Sequence, residues 1–178
     1  MRIIAGKHRG RKLLTPKDDT VIRPTSDFTR EALFNVLSSR VAGADVLDLF
    51  GGTGALTLES LSRGAKSATV ADRSRESLSL IRRNAEMMGE TPTVVAGEYD
   101  AVCRRLRGQA FDLVFLDPPY AMDIQPVLAC IRENELVREN GAVIYEHDKS
   151  NAFAPVDGWR VIDERVYGRV ALTFLQRE

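Results

Sequence analysis

From Asp45 onward, short β-rich runs alternate with amphipathic stretches, and this alternation constrains the fold more than any other feature of the chain. Val46-Leu47-Asp48-Leu49 is followed by a helical pattern over 54–62, Ala68-Thr69-Val70-Ala71 by one over 75–88, and Thr93-Val94-Val95-Ala96 by one near 100–107. Asp112-Leu113-Val114-Phe115-Leu116, a helix near 124–134 and Gly141-Ala142-Val143-Ile144-Tyr145 continue the rhythm. Such alternation implies a parallel sheet covered on both faces and joined by right-handed crossovers, an α/β fold of Rossmann-like type. The last two runs, 159–167 and 170–175, lie too close together for a crossover helix and predict an antiparallel hairpin across Gly168.

Upstream, Ser26 can cap a helix over about 26–39, whose apolar positions Phe28, Ala32, Leu33, Val36 and Leu37 recur near every 3.6 residues and give one buried face. Arg2-Ile3-Ile4-Ala5-Gly6 and Arg11-Lys12-Leu13-Leu14 flank Lys7-His8-Arg9-Gly10 and read as a short hairpin with a basic, exposed tip. The expected organisation is therefore a basic hairpin and connector over residues 1–24 and one catalytic-sized domain over 25–178.

Charge is polarised along the chain. Although 25 Lys+Arg balance 25 Asp+Glu, residues 1–30 hold eight basic side chains against three acids, so they carry +5 and the remainder −5. A basic end on an acidic body suits a polyanionic partner, because each neutralised phosphate releases counterions. Arg2, Lys7, Arg9, Arg11, Lys12 and Arg23 are the residues expected to make those contacts. With 178 residues, 44% of them hydrophobic, the chain is suited to a substantial core, while its longest apolar run, 127–131, is far too short to span a bilayer. The first residues lack the apolar stretch of a signal peptide, and the cytoplasm is the expected location. Cys103 and Cys130 form no C-x-x-C or Cys/His cluster and read as buried thiols; with His8 and His147 far apart in sequence, no metal site is expected.

Three positions carry chemistry. The first strand runs into Asp48-Leu49-Phe50-Gly51-Gly52-Thr53-Gly54, so glycines fall where the sheet's carboxyl edge meets a helix N-terminus and backbone can approach a ligand. The third position of a G-x-G-x-x-G reading is Thr57, an acid precedes the glycines, and no Gly-Lys-Ser/Thr follows, which argues against NAD and excludes a Walker loop. Asp48 would repel a pyrophosphate but suits the ammonium of an amino-acid-like ligand such as S-adenosylmethionine. Asp72 ends the second strand 18 residues after Gly54, close to the offset at which an acid meets ribose hydroxyls, although it also precedes a helix start at Ser74. Glu98 and Asp100 follow the third strand as alternative acceptors for an adenine amino group. The cofactor set is thus Asp48, Phe50, Gly51, Gly52, Gly54, Asp72, Arg73, Glu98 and Asp100.

The fourth strand leads into Asp117-Pro118-Pro119-Tyr120. Two prolines stiffen this loop and remove two N–H donors, leaving carbonyls and a carboxylate as acceptors. An exocyclic amino group donating to Asp117 and to the Pro118 carbonyl would be aimed at a sulfonium methyl, with Tyr120 as a stacking face for a single-stranded or flipped base.

Together these sites resemble the class I S-adenosylmethionine-dependent methyltransferases of the amino-methylating type. More narrowly, Met1-Arg2-Ile3-Ile4-Ala5-Gly6 with Gly10-Arg11, Arg23-Pro24-Thr25-Ser26-Asp27 leading to Arg30-Glu31-Ala32-Leu33-Phe34-Asn35, the glycine loop and Asp117-Pro118-Pro119-Tyr120 resemble the RsmD family, the 16S ribosomal RNA guanine-N2 methyltransferases. The resemblance implies a seven-stranded sheet with its last strand antiparallel, and methyl transfer to one guanine amino group of small-subunit ribosomal RNA on an assembled or partly assembled particle; no obligate protein partner is inferred. It also implies that Asp48, Gly52, Gly54 and Asp72 line the cofactor, that the segment from Arg23 lies near its methionine end and that the 117–120 loop holds the base. Gly51 stands where the family has Ala or Cys, Thr57 where it often has Gly, and Gly97-Glu98-Tyr99-Asp100-Ala101 departs from the family's short Asp-Ala or Asn-Ala pattern. Beside this reading stand an adenine-N6 methyltransferase acting on DNA or RNA, to which the same loop is suited, a protein-glutamine methyltransferase, and a non-catalytic cofactor-binding assembly factor.

Overall fold

A computed structural model describes residues 1–18 and 26–178 of the chain. Helix α1 (Asp27–Leu37) precedes β1 (Asp45–Asp48), α2 (Ala55–Ser62), β2 (Ser67–Asp72), α3 (Arg75–Met88), β3 (Thr93–Ala96), α4 (Tyr99–Arg105), β4 (Phe111–Leu116), α5 (Ile124–Glu133), β5 (Val137–Asp148), β6 (Trp159–Tyr167) and β7 (Val170–Arg177). The seven strands form one sheet in the order β3-β2-β1-β4-β5-β7-β6. The first five pair in parallel, and β7 runs antiparallel between β5 and β6. Strand order reverses between β1 and β4, so the crossovers diverge there and leave a crevice at the carboxyl edge.

Both faces of the sheet are covered, as continuous apolar strands require. Leu33, Phe34 and Leu37 of α1 and Leu58 of α2 pack with Phe115 and Ile144 on one face. On the other, Val102 of α4 and Val127, Leu128 and Ile131 of α5 pack with Leu47, Val114 and Val143. Helix α1 is capped by Ser26, whose side chain accepts from the Thr29 N–H, but its buried face is Arg30, Leu33, Phe34 and Leu37. Phe28, expected on that face, is 69% exposed and meets the Tyr167 ring edge-on, with centroids 6.1 Å apart. Strand β5 begins four residues earlier than its apolar run, because the polar stretch Arg138-Glu139-Asn140 still lies in the sheet. Arg138 there bridges Asp112 at 2.6 Å and Asp45 at 2.9 Å across neighbouring strands.

The N-terminal hairpin is short. Arg2 and Lys12 form one antiparallel bridge, and the Gly10 N–H donates to the Ile3 carbonyl at 2.8 Å. The ladder goes no further because the Ile4 and Ala5 N–H groups donate instead to the two carboxylate oxygens of Glu59 on α2, at 2.9 and 3.1 Å. Glu59 is fully buried, also accepts from Arg63 Nε at 2.8 Å and lies 3.7 Å from Nε of the buried Arg30. Ile3 and Leu13 join the same core cluster as α1 and α2, while the basic tip stays exposed. Because removing one partner of a buried ion pair strands the other, Glu59→Ala should cost about 3–5 kcal/mol in denaturant unfolding. It should also accelerate hydrogen exchange at the Ile4 and Ala5 amides before the sheet amides respond.

Candidate active site

The glycine loop packs closely against β2 and turns sharply into α2. Gly51 donates its N–H to the Ala71 carbonyl at 2.8 Å, and a Cβ there would fall 2.4 Å from Val70 Cγ2. Gly54, at φ 83°, turns the chain into α2 in a left-handed conformation that a side chain would strain. Two polar side chains then fix the loop from β2 and α3: Asp72 Oδ2 accepts from the Gly52 N–H at 2.9 Å, and Asn84 Nδ2 donates to the Thr53 carbonyl at 2.8 Å.

The loop closes one side of a cleft of about 340 Å³, inside the range of about 300–1,000 Å³ occupied by small-molecule sites. Asp48, Phe50, Gly51, Gly52, Asp72, Arg73 and Glu98 line it, as does the whole 117–120 loop. Gly54 shapes the turn without lining the cleft. Asp100 lies outside as well: it sits on α4, where its carboxylate pairs with Arg104 one turn on at 3.3 Å. Of the two alternatives after β3, the cleft therefore takes Glu98, which also pairs with Arg73 at 3.5 Å across the rim. Asp72 lies on the cleft wall, and its Oδ1 accepts from the N–H of Ser74, the residue that caps α3, at 2.8 Å.

Asp48, Asp72, Glu76, Glu98 and Asp117 give this wall a concentration of negative charge. Asp48 is buried, and that burial, with the Asp117 and Asp72 carboxylates nearby, pushes its carboxyl up from 3.8 to about 7 against the opposing hydrogen bonds from the Phe50 N–H and Thr57. Thr57, the departure from the family pattern, donates its hydroxyl to Asp48 Oδ2 at 3.2 Å and so helps fix the carboxylate. A cluster of this kind fits a ligand carrying an ammonium and a sulfonium, whose positive charge relieves the repulsion among the carboxylates.

A second cavity, about 210 Å³, lies on the other side of the 117–120 loop and is walled by Ser26 and by the ends of β5 and β7. Asp117, Pro118, Pro119 and Tyr120 line both cavities. The loop is closed by the Met122 N–H donating to the Pro119 carbonyl at 3.0 Å, and Tyr120 is 59% exposed.

The basic residues expected to meet a polyanion sit elsewhere. Lys7 and Arg9 are exposed on the tip, where the Lys7 N–H caps the Ser62 carbonyl at the far end of α2 at 2.9 Å. The Lys7 ammonium lies 2.6 Å from Glu90, Arg2 donates to the Gly10 carbonyl, Arg11 donates to the Met87 carbonyl, and Lys12 is exposed. Arg23 lies outside the described residues. Cys103 is buried and Cys130 half-buried, and neither is among the residues lining these two cavities.

Sequence reasoning missed Met1, Thr53, Glu76, Tyr99 and Met122 on the cleft wall. Tyr99 stands between two acids and carries no motif of its own, yet it packs against Phe50 with ring centroids 6.4 Å apart. Asn84 could have been found as an amide on the apolar face of α3; fully buried, it holds Thr53 and also pairs with the Leu14 backbone at 2.7 and 3.1 Å.

Because Asp48 binds a proton more readily folded than unfolded, its contribution to stability is full below about pH 4 and is lost as pH rises towards 7. Denaturant unfolding should show a fall of up to about 4 kcal/mol over that window, absent in Asp48→Asn. A cationic ligand should reverse the sign: its affinity should rise with pH through 7 in the parent protein and stay flat in Asp48→Asn.

Comparison with known proteins agrees with this geometry. The family described as Conserved hypothetical protein 95 matches residues 1–176. The chain is 35% identical, over all of its length and 90% of the relative's, to ribosomal RNA small subunit methyltransferase D of Escherichia coli strain K12. It is 29% identical to the protein of the same name from Haemophilus influenzae, over 99% of this chain and 93% of that one. A solved Escherichia coli structure, described as the candidate methyltransferase yhhF, superposes with a TM-score of 0.89 at 31% identity, covering 100% of this chain and 98% of the other. A family match over residues 1–176, and a relative 35% identical along the whole of this chain, place the chain in the RsmD family of class I S-adenosylmethionine-dependent methyltransferases.

Proposed function

We propose that the protein transfers the methyl group of S-adenosylmethionine to the exocyclic N2 of a guanine in 16S ribosomal RNA, within the small subunit or an assembly intermediate. The observation that carries this reading is the 117–120 loop standing as the common wall of two cavities, one acidic and of cofactor size, the other open to a ring system. The names of the relatives, which refer to small-subunit ribosomal RNA, support the substrate.

When bound, S-adenosylmethionine supplies an electrophilic methyl group on a sulfonium. Asp48, ionised against the ligand's ammonium, together with Asp72 and Glu98 along the wall, would hold that ligand in place. Asp117 and the Pro118 carbonyl accept the two N–H bonds of the base amino group, which fixes its plane and directs its lone pair into the cofactor cleft. Tyr120, exposed at the loop's end, stacks on the flipped ring. Orientation, and acceptors that favour the positive charge developing on nitrogen, account for the rate enhancement without a covalent enzyme intermediate.

The basic tip fits a separate task. It docks at the C-terminal end of α2, while the cofactor cleft lies at the N-terminal end. Eight residues of helix at about 1.5 Å each separate the two by roughly 12 Å. Residues Lys7, Arg9, Arg11 and Lys12 would thus meet phosphates of neighbouring RNA, positioning the substrate while the loop holds the base.

Labelled methyl transfer to small subunits lacking the modification separates these roles. Asp117→Ala should lower turnover by roughly a hundredfold or more while retaining RNA and cofactor binding; intact transfer in that variant would refute the assignment. The combined Lys7→Ala, Arg9→Ala and Arg11→Ala variant should bind RNA more weakly, and its salt dependence should be shallower by about one for each phosphate it no longer neutralises.

A further inference from the structure

We propose that the second cavity is the base subsite and that Glu146 is its specificity-determining residue, with its carboxylate accepting the N1–H of the bound guanine. This rests on the reading of the 117–120 loop as the acceptor of the base amino group. The parallel register of β4 and β5 supplies the geometry. Leu116 pairs with Tyr145, so the next residues on the two chains, Asp117 and Glu146, stand side by side at the carboxyl edge, on backbones about 4.8 Å apart. Both line the 210 Å³ cavity, and a hollow of about 150 Å³ already admits a benzene ring.

Several neighbouring polar groups of this wall hold the fold together. Asp148 accepts from the Ser150 N–H at 2.8 Å and from its hydroxyl at 2.7 Å. His147 stacks on Tyr145 with centroids 4.6 Å apart, and its nitrogens face the Asp148 carbonyl at 3.0 Å and Thr173 Oγ1 at 2.8 Å. Ser26 caps α1. Glu146 is half-buried on β5, paired with Leu172 of β7 one residue beyond the last β4 pair, which mounts its side chain on the cavity wall.

The chemistry of the base edge makes that position discriminating. Guanine presents its N2 amino group and N1–H as adjacent donors, so two neighbouring carboxylates can accept from both. Adenine presents a lone pair at N1, and a carboxylate facing it is repelled and unpaired. The Asp117 loop accepts any aromatic amino group, whereas Glu146 requires that the neighbouring ring nitrogen carry a proton.

The test uses reconstituted small-subunit acceptors with either guanosine or 2,6-diaminopurine riboside at the position the parent enzyme methylates. Diaminopurine keeps the N2 amino group but has an unprotonated N1. The parent enzyme should prefer guanine in kcat/KM by roughly tenfold to a hundredfold. Glu146→Gln, whose amide can donate to N1, should lose activity on guanine and bring the two acceptors within about threefold, with cofactor affinity unchanged. Equal use of both acceptors by the parent enzyme overturns the proposal without reference to any variant, as does a Glu146→Gln enzyme with unaltered guanine activity and preference. Absence of N2 methylation on either acceptor would instead overturn the underlying reading of the reaction.

Discussion

The site depends on the parallel pairing of β1 with β4 at the point where strand order reverses. Asp48 stands opposite Phe115 in that register, and Asp117 follows two residues later, so two carboxylates from remote parts of the sequence converge on one crevice. Burial first, and then repulsion from the Asp117 and Asp72 carboxylates, raises the Asp48 pKa. The same repulsion gives the crevice its preference for a cationic ligand. Stability spent on crowding like charges along the cleft is returned when positive charge enters, an arrangement typical of sites whose function requires perturbed carboxylates.

Around this crevice the N-terminal segment is part of the same body of packing. Glu59 redirects two of its N–H groups onto α2, Asn84 joins Leu14 to the glycine loop, and Met1 reaches the cleft wall, where Thr53 Oγ1 lies 3.5 Å from its sulfur. The basic tip is therefore mechanically continuous with the glycine loop that lines the cleft. The buried Arg30, which donates to the Arg2 carbonyl and to Asp27, ties the entry of α1 into the same network.

Much of this is legible in the sequence because it rests on local rules. Period-two and period-3.6 patterns locate the elements, and glycines after a strand, followed by an acid at the end of the next strand, locate the cofactor edge. What escapes has a common physical origin in partners that are distant along the chain. Phe28 fits the helical stripe, but the core faces Arg30 instead, because Glu59 and the N-terminal loop supply partners for a guanidinium. Arg138 lies outside the apolar run 141–145 that marks β5, and its carboxylate partners belong to two other strands. Asp100 and Glu98 cannot be separated until the helix start at Tyr99 fixes which of them faces the cleft. Asn84 and Glu146 carry no local motif, and only the register that brings other elements to them reveals their surroundings.

If the 117–120 loop joins a cofactor cleft to a guanine site, the identity of the methylated nucleoside shows it. Purified protein would be incubated with methyl-labelled S-adenosylmethionine and, separately, with naked small-subunit RNA, small subunits lacking the modification, and unmethylated duplex DNA, followed by digestion to nucleosides. Transfer to guanine puts label in N2-methylguanosine from the ribosomal acceptors. Label in N6-methyladenine would contradict the base assignment, and no label despite cofactor binding would contradict transfer itself.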